Sequence, residues 1–144
     1  MMTDGHFIEV EIEPAFACNR RCDFCARHAL GKPDAKMSWK TMVRCGENLA
    51  LYPAIRVSIA GRGEPFLHEG LMDFVAVFRS FSKDAYLVCI TNGDYLTVDR
   101  AKEFFLAGGN VLGVDCYGKG LFERRYALYK HEVPVLRGNV DGNP

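Results

Sequence analysis

The chain has 144 residues, with 18 Lys+Arg against 18 Asp+Glu and therefore no formal net charge. That length predicts one domain able to bury about 70% of its unfolded surface, and 49% apolar with 25% charged residues is ordinary globular composition, which excludes disorder. Balanced charge gives no general attraction to nucleic acid or an anionic membrane; with no run of 18 apolar residues and no basic or apolar signal region in Met1-Met2-Thr3-Asp4-Gly5-His6, a soluble cytoplasmic protein is expected.

Phe7-Ile8-Glu9-Val10-Glu11-Ile12 alternates at period two and stops before Pro14, which predicts a first strand. Ser38 is placed to cap a helix whose inward face would carry Trp39, Met42, Val43, Gly46, Leu49 and Ala50, with Pro53 blocking continuation. Ile55 to Ala60 predicts a second strand stopped by Gly61, and Leu71, Phe74, Val75 and Phe78 mark a second helical face. Tyr86 to Ile90 is a nearly continuous apolar run, the signature of a strand buried on both sides. Thr97 is placed to cap a third helix with Val98, Ala101 and Phe105 inward, closed by Gly108-Gly109. Asn110 to Cys116 predicts a fourth strand, Lys119 to Lys130 a fourth helix, and Val133-Pro134-Val135-Leu136 the start of a fifth strand; the polar stretch from Arg137 to Pro144 reads as a loose tail. Alternating strands and helices imply an α/β fold with a parallel sheet. About four βα units plus a fifth strand fall short of the ~250 residues of a closed eight-unit barrel, so the sheet is expected to be a partial, open parallel βα barrel.

Six cysteines stand at 18, 22, 25, 45, 89 and 116. The first three fall in Cys18-Asn19-Arg20-Arg21-Cys22-Asp23-Phe24-Cys25, a CxxxCxxC spacing just beyond the first strand, at the carboxyl edge where parallel α/β proteins assemble their sites. Soft thiolates at such spacing favour zinc or an iron–sulfur cluster. Structural zinc would need a fourth ligand such as His28 or Cys45, whereas a cubane held by three thiolates would keep one iron open. Cys45 and Cys89, on a helix and inside an apolar strand, read as core residues. Three weaker signals also follow strands: Gly61-Arg62-Gly63-Glu64-Pro65, Thr91-Asn92-Gly93 and Asp115-Cys116-Tyr117-Gly118. Each alone is a good turn, but a common edge would place all four segments together. Arg20, Arg21, Arg27 and Arg62 add positive charge there that could meet a carboxylate or lie solvated on the surface.

In these residues the sequence resembles the radical S-adenosylmethionine (radical SAM) superfamily. The likeness rests on Cys18, Cys22 and Cys25, with Gly61 to Pro65 in the place of that family's GGEP motif, and covers Phe7 to roughly Tyr117. It implies that residues 1–144 form a single core domain, shortened at the C-terminal end against the family's usual six or so βα units. It implies that the three cysteines bind three irons of a [4Fe-4S] cluster whose fourth iron is chelated by the amino and carboxylate groups of S-adenosylmethionine. Phe24 then matches a position packed near the adenine, and Gly61, Arg62, Gly63, Glu64 and Pro65 the segment whose backbone meets the methionine amino group. Asn92 and Asp115 occupy strand ends facing cofactor or substrate. The implied activity is reductive cleavage of the cofactor to a 5′-deoxyadenosyl radical that takes hydrogen from a peptide, protein or small molecule, with flavodoxin or ferredoxin as electron donor. An activase that places a radical on a partner enzyme is the alternative within the family, and a non-catalytic metal-binding interaction module the alternative outside it. No residue is singled out as a catalytic acid or base.

Overall fold

The computed structural model describes residues 2–3, 6–30, 35–116, 120 and 136–139. In chain order these form β1 (Met2–Thr3), β2 (His6–Ile12), α1 (Trp39–Leu51), β3 (Ala54–Ile59), α2 (Leu71–Phe81), β4 (Tyr86–Thr91), α3 (Val98–Leu106), β5 (Val111–Asp115) and β6 (Leu136–Asn139). The strands make one sheet in the order β1-β2-β3-β4-β5-β6, with β2 to β6 parallel and β1 antiparallel on the outer edge of β2. Strands neighbouring in sequence are neighbours in space, and α1, α2 and α3 carry the chain back between β2 and β3, β3 and β4, and β4 and β5. The result is an open, partial βα barrel, with every parallel strand ending at the same edge.

The core explains the register. Parallel pairing sets Val57 beside Leu87 and Cys89 beside Leu112, so residues of one parity from each strand share a face. Ile12, Val57, Ile59, Leu87, Cys89, Leu112 and Val114 from that face join Met42, Leu71, Phe74, Phe78, Ala101 and Phe104 from the helices in one apolar cluster. The four inward residues of α2, Leu71, Phe74, Val75 and Phe78, are fully buried, and each such burial contributes ~1.5–3 kcal/mol. On the other strand face the residues are partly polar: the Ser58 hydroxyl donates to Glu9 Oε1 at 2.5 Å and accepts from Arg56 Nε at 3.0 Å.

The caps fall where expected, with Ser38 Oγ accepting from Thr41 N and Thr97 Oγ1 from Arg100 N. The helix faces need correction. The buried stripe of α1 is Met42, Gly46 and Leu49; Trp39, in the first turn, is 57% exposed, and Ala50, off the centre of the stripe, is exposed. In α3 it is Ala101 and Phe104 that are buried, while Val98 and Phe105 pack only partly against the core. Residues 137–139, read as loose tail, pair with β5 instead. The two-residue β1 has too short a pattern to be read from sequence. The helix expected over 119–130 and the strand start at 133–135 lie outside the described residues, as do Tyr117, Gly118 and 140–144. Among the described residues no helix is long and apolar enough to cross a membrane.

Candidate functional site

Beyond β2 the chain runs through Glu13 to Ala17 into the cysteine segment and returns at Ala35. Phe16 N donates to Ala35 O at 2.7 Å and Met37 N to Pro14 O at 2.8 Å, closing the base of this excursion. His68 clamps the return: its Nδ1 accepts from Gly70 N at 3.1 Å, so its Nε2 carries the proton donated to Met37 O at 2.8 Å.

The loop after β3 is sewn to the same segment. Gly61 has φ +138°, a conformation that favours glycine. The Glu13 carboxylate accepts from Gly63 N at 3.0 Å and from Arg62 N, and Glu64 N donates to Ala17 O at 2.7 Å. Gly63 lies so close to the preceding segment that a Cβ there would stand 1.7 Å from Ala15 O. Glycine is required because two backbones touch.

Glu64 then joins this loop to the end of β4. Its side chain is 1% exposed. Oε1 accepts from Phe66 N at 2.9 Å and from the Thr91 hydroxyl at 2.6 Å, and Oε2 from Asn92 N at 2.8 Å. Burial pushes its carboxyl above the ordinary glutamate value against the lowering pull of these donors. Pro65 is buried and opens a short 3-10 turn over Pro65–Leu67.

Asn92 continues the network to the cysteines. Its Nδ2 donates to Asn19 Oδ1 at 2.8 Å and points at Cys18 Sγ at 3.9 Å, while its carbonyl accepts from Arg20 Nη2 at 3.1 Å. Arg20 also pairs with Asp94, with Nε to Oδ2 at 2.7 Å and Nη2 to Oδ1 at 2.5 Å. That hydrogen bond raises the Arg20 pKa despite partial burial. Burial pushes the Cys22 thiol up as well, helped by Cys18, Cys25 and Asp23 and opposed by the Arg20 cation. Arg20 and Arg27 are thus occupied within the protein, the latter donating to Phe16 O at 2.7 Å and lying over the Phe16 ring.

These loops enclose a cavity of about 120 Å³. Cys18, Cys22, Phe24, Cys25, Gly61, Arg62, Gly63, Glu64, Asn92 and Asp115 all line it, so of the site residues expected from sequence only Pro65 faces elsewhere. All three thiols are free, and among the described residues no three ligating groups converge on a single ion. Cys45 lines a separate cavity between β2 and α1, and Cys89, fully buried, has its thiol pushed well up by burial. Neither joins the site. Glu13 and Asp94 carry no signal in the sequence, and Thr91 stands out only as part of the Thr91-Asn92-Gly93 turn; each is an ordinary strand-end or turn residue whose partner lies far away in the chain.

Known proteins resemble this chain in sequence and in fold. The family profile described as the Radical SAM superfamily matches residues 12–118. A curated relative, the S-adenosyl-L-methionine-dependent 2-deoxy-scyllo-inosamine dehydrogenase of Niallia circulans, is 32% identical over an alignment 102 residues long that covers 67% of this chain and 40% of the relative. The crystal structure of BtrN in complex with AdoMet and 2-DOIA superposes with a TM-score of 0.78 at 26% identity, over 96% of this chain and 59% of that one. Methylornithine synthase (PylB), at 12% identity and a TM-score of 0.68, shares the fold over 92% of this chain and 44% of its own. The chain therefore spans well under two thirds of the length of these relatives. It belongs to the radical SAM superfamily, whose members are enzymes that use S-adenosylmethionine with an iron–sulfur cluster.

Proposed function

We propose that Cys18, Cys22 and Cys25 each hold one iron of a [4Fe-4S] cluster, and that S-adenosylmethionine docks beside it against the loop from Gly61 to Glu64. The observation that carries this reading is convergence: three free thiols and the glycine loop, 36 or more residues apart in sequence, line one cavity at the carboxyl ends of the parallel strands. The donor set fits the group. Sulfur ligands suit iron–sulfur centres, and three of them leave the fourth iron of a cubane for a ligand. Once reduced, such a centre supplies the electron that breaks a carbon–sulfur bond of the sulfonium and frees a radical able to take hydrogen from a substrate.

The chain's own residues orient and shield. The N–H groups of Arg62, Gly63 and Glu64 are already spent on Glu13 and Ala17. The loop is left with carbonyl oxygens to turn toward a ligand, and carbonyls suit the ammonium end of a methionine moiety. Phe24, 57% exposed on the cavity wall, offers an apolar ring face to a flat base. Asp115 and Asn92, at the ends of β5 and β4, bound the far side. Flavodoxin or ferredoxin would deliver the electron.

The likeness to a dehydrogenase favours oxidation of a small polar molecule over activation of a partner protein. Anaerobic reconstitution should load four irons and four sulfides per chain, with the broad visible absorption of a cubane. Replacing any of Cys18, Cys22 or Cys25 by Ala should abolish it. With dithionite and S-adenosylmethionine the loaded protein should release 5′-deoxyadenosine, and 2-deoxy-scyllo-inosamine is the first substrate to add. Bound zinc without iron–sulfur absorption would overturn the cluster, and a loaded cluster that never cleaves the cofactor would leave a binding module.

A further inference from the structure

The network across the rim treats the three cysteines unequally. Cys18 Sγ receives the backbone N–H of Arg20 at 3.4 Å and faces the side-chain amide of Asn92 at 3.9 Å. Among the described residues, no such donor reaches the sulfurs of Cys22 and Cys25.

The direction of the Asn92 amide follows from its partners. Its Oδ1 accepts from Asp94 N at 2.9 Å, so the opposite end must be the NH₂ group; a flip would set two donors against each other. That NH₂ group reaches both Asn19 Oδ1 and Cys18 Sγ. The residue is also held from both ends of its backbone, its N–H by the buried Glu64 carboxylate and its carbonyl by Arg20, itself anchored on Asp94. A surface asparagine would be mobile. This one is 9% exposed and fixed by segments more than 25 residues away on either side of the site.

We propose that Asn92 is a positioning residue that directs a donor at the sulfur of Cys18 and so favours the reduced, more electron-rich state of the metal centre, making one corner of that centre electronically distinct. A donor to a ligating sulfur stabilises added negative charge, and such second-sphere contacts are among the terms that set the potential of an iron–sulfur centre. The inference rests on the cluster assignment made above. It also gives Glu64 a role: by holding Asn92 N, the glycine loop fixes the position of a group facing the thiol.

Asn92→Asp is the informative change, since it keeps the acceptor for Asp94 N and replaces the NH₂ by an oxygen. Its midpoint potential, measured by redox titration with electron paramagnetic resonance, should fall so that the reduced-to-oxidised ratio at a fixed poise drops about tenfold, which is 59 mV for a one-electron couple. Asn92→Ala should lower that ratio about threefold. The wild-type protein labelled with nitrogen-15 on asparagine side chains should show a nitrogen hyperfine coupling to the reduced centre, a readout independent of whether the variants fold. Iron and sulfide counts separate the two claims: a wild-type chain that loads no cluster refutes the earlier assignment. Variants that load fully but titrate like wild type refute the role of Asn92, as does an absent nitrogen coupling.

Discussion

Two polar hubs tie this sheet together, one at each end of its strands, and they are built for different ends. At the amino end Arg79 donates to the carbonyls of Ser82, Lys83, Ala85 and Gly108 and to Asn110 Oδ1, at 2.5 to 3.1 Å. At the carboxyl end Glu64 accepts from Phe66, Thr91 and Asn92. Arg79 closes the returns from α2 and α3 into β4 and β5, and its partners are nearly all backbone. Glu64 instead organises a rim where thiols and a glycine loop face open space. Cavity size does not separate the two ends: the hollow at the amino end is about 520 Å³, and that beside α1 about 620 Å³, against about 120 Å³ at the cysteines. The larger hollows carry one thiol between them, Cys45, and scattered charged groups such as Glu11, Lys83 and Asp84, with no cluster of thiols. Chemistry, more than volume, marks the site, and the contrast teaches that a saturated hub stabilises while a hub beside converging reactive groups positions.

The sharpest way to break the contrast is at Gly63. In Gly63→Ala the new methyl would lie 1.7 Å from Ala15 O and 2.9 Å from Ala17 O, both backbone atoms that cannot rotate away. The loop after β3 and the segment leading to Cys18 must part. We expect a loss of about 3 kcal/mol in urea unfolding together with failure to load iron and sulfide. A variant that folds and loads normally would show that the two loops are independent.

Arg79→Met tests the other hub and should separate stability from function. It removes the charged donor while keeping most of the side-chain length, and the half-exposed carbonyls can turn to water in its place. A cost of about 2 kcal/mol is expected, since hydrogen bonds from charged groups contribute roughly 1.5–3 kcal/mol. Iron content and S-adenosylmethionine affinity should stay at wild-type values. A large fall in either would mean that the amino end communicates with the rim.

The same contrast explains what could be read from the chain alone. The helix-covered face was legible from its apolar residues: Leu71, Phe74, Val75 and Phe78 announce α2 by their helical period, and Tyr86 to Ile90 announces β4 as a short continuous apolar run. Errors came where a stripe frays, at Trp39 and Ala50, or where neighbouring rings compete for one inward position, at Phe104 and Phe105. At the rim, Cys18, Cys22, Cys25 and the Gly61–Pro65 segment were legible because their spacing is local. The contacts that assemble them were not. Arg20 meets Asp94 across 74 residues, and Gly63 meets Glu13 across 50. A single polar pair carries no period, so nothing in the sequence distinguishes Asp94 from any other turn aspartate.

The smallest effect, and the one that tests the electrostatics of the rim, belongs to Glu64→Gln. Glutamine has one oxygen for three donors. If it keeps Oε1 for Phe66 N and Thr91, its NH₂ must face Asn92 N, so one buried donor loses its acceptor at a cost of about 1 kcal/mol near neutral pH. The pH dependence has a definite sign. Burial, with Asp94 adding negative charge, holds the Glu64 carboxyl above its ordinary value, so the folded protein binds this proton more tightly than the unfolded chain. That contribution is complete below the ordinary glutamate range and drains away as pH rises through the raised value. Glutamine cannot titrate. The stability gap between wild type and Glu64→Gln should therefore be widest in acid and narrow toward neutrality in parallel urea titrations. A gap independent of pH would mean that the three donors fully offset burial, and that the rim holds its carboxylate at no electrostatic cost.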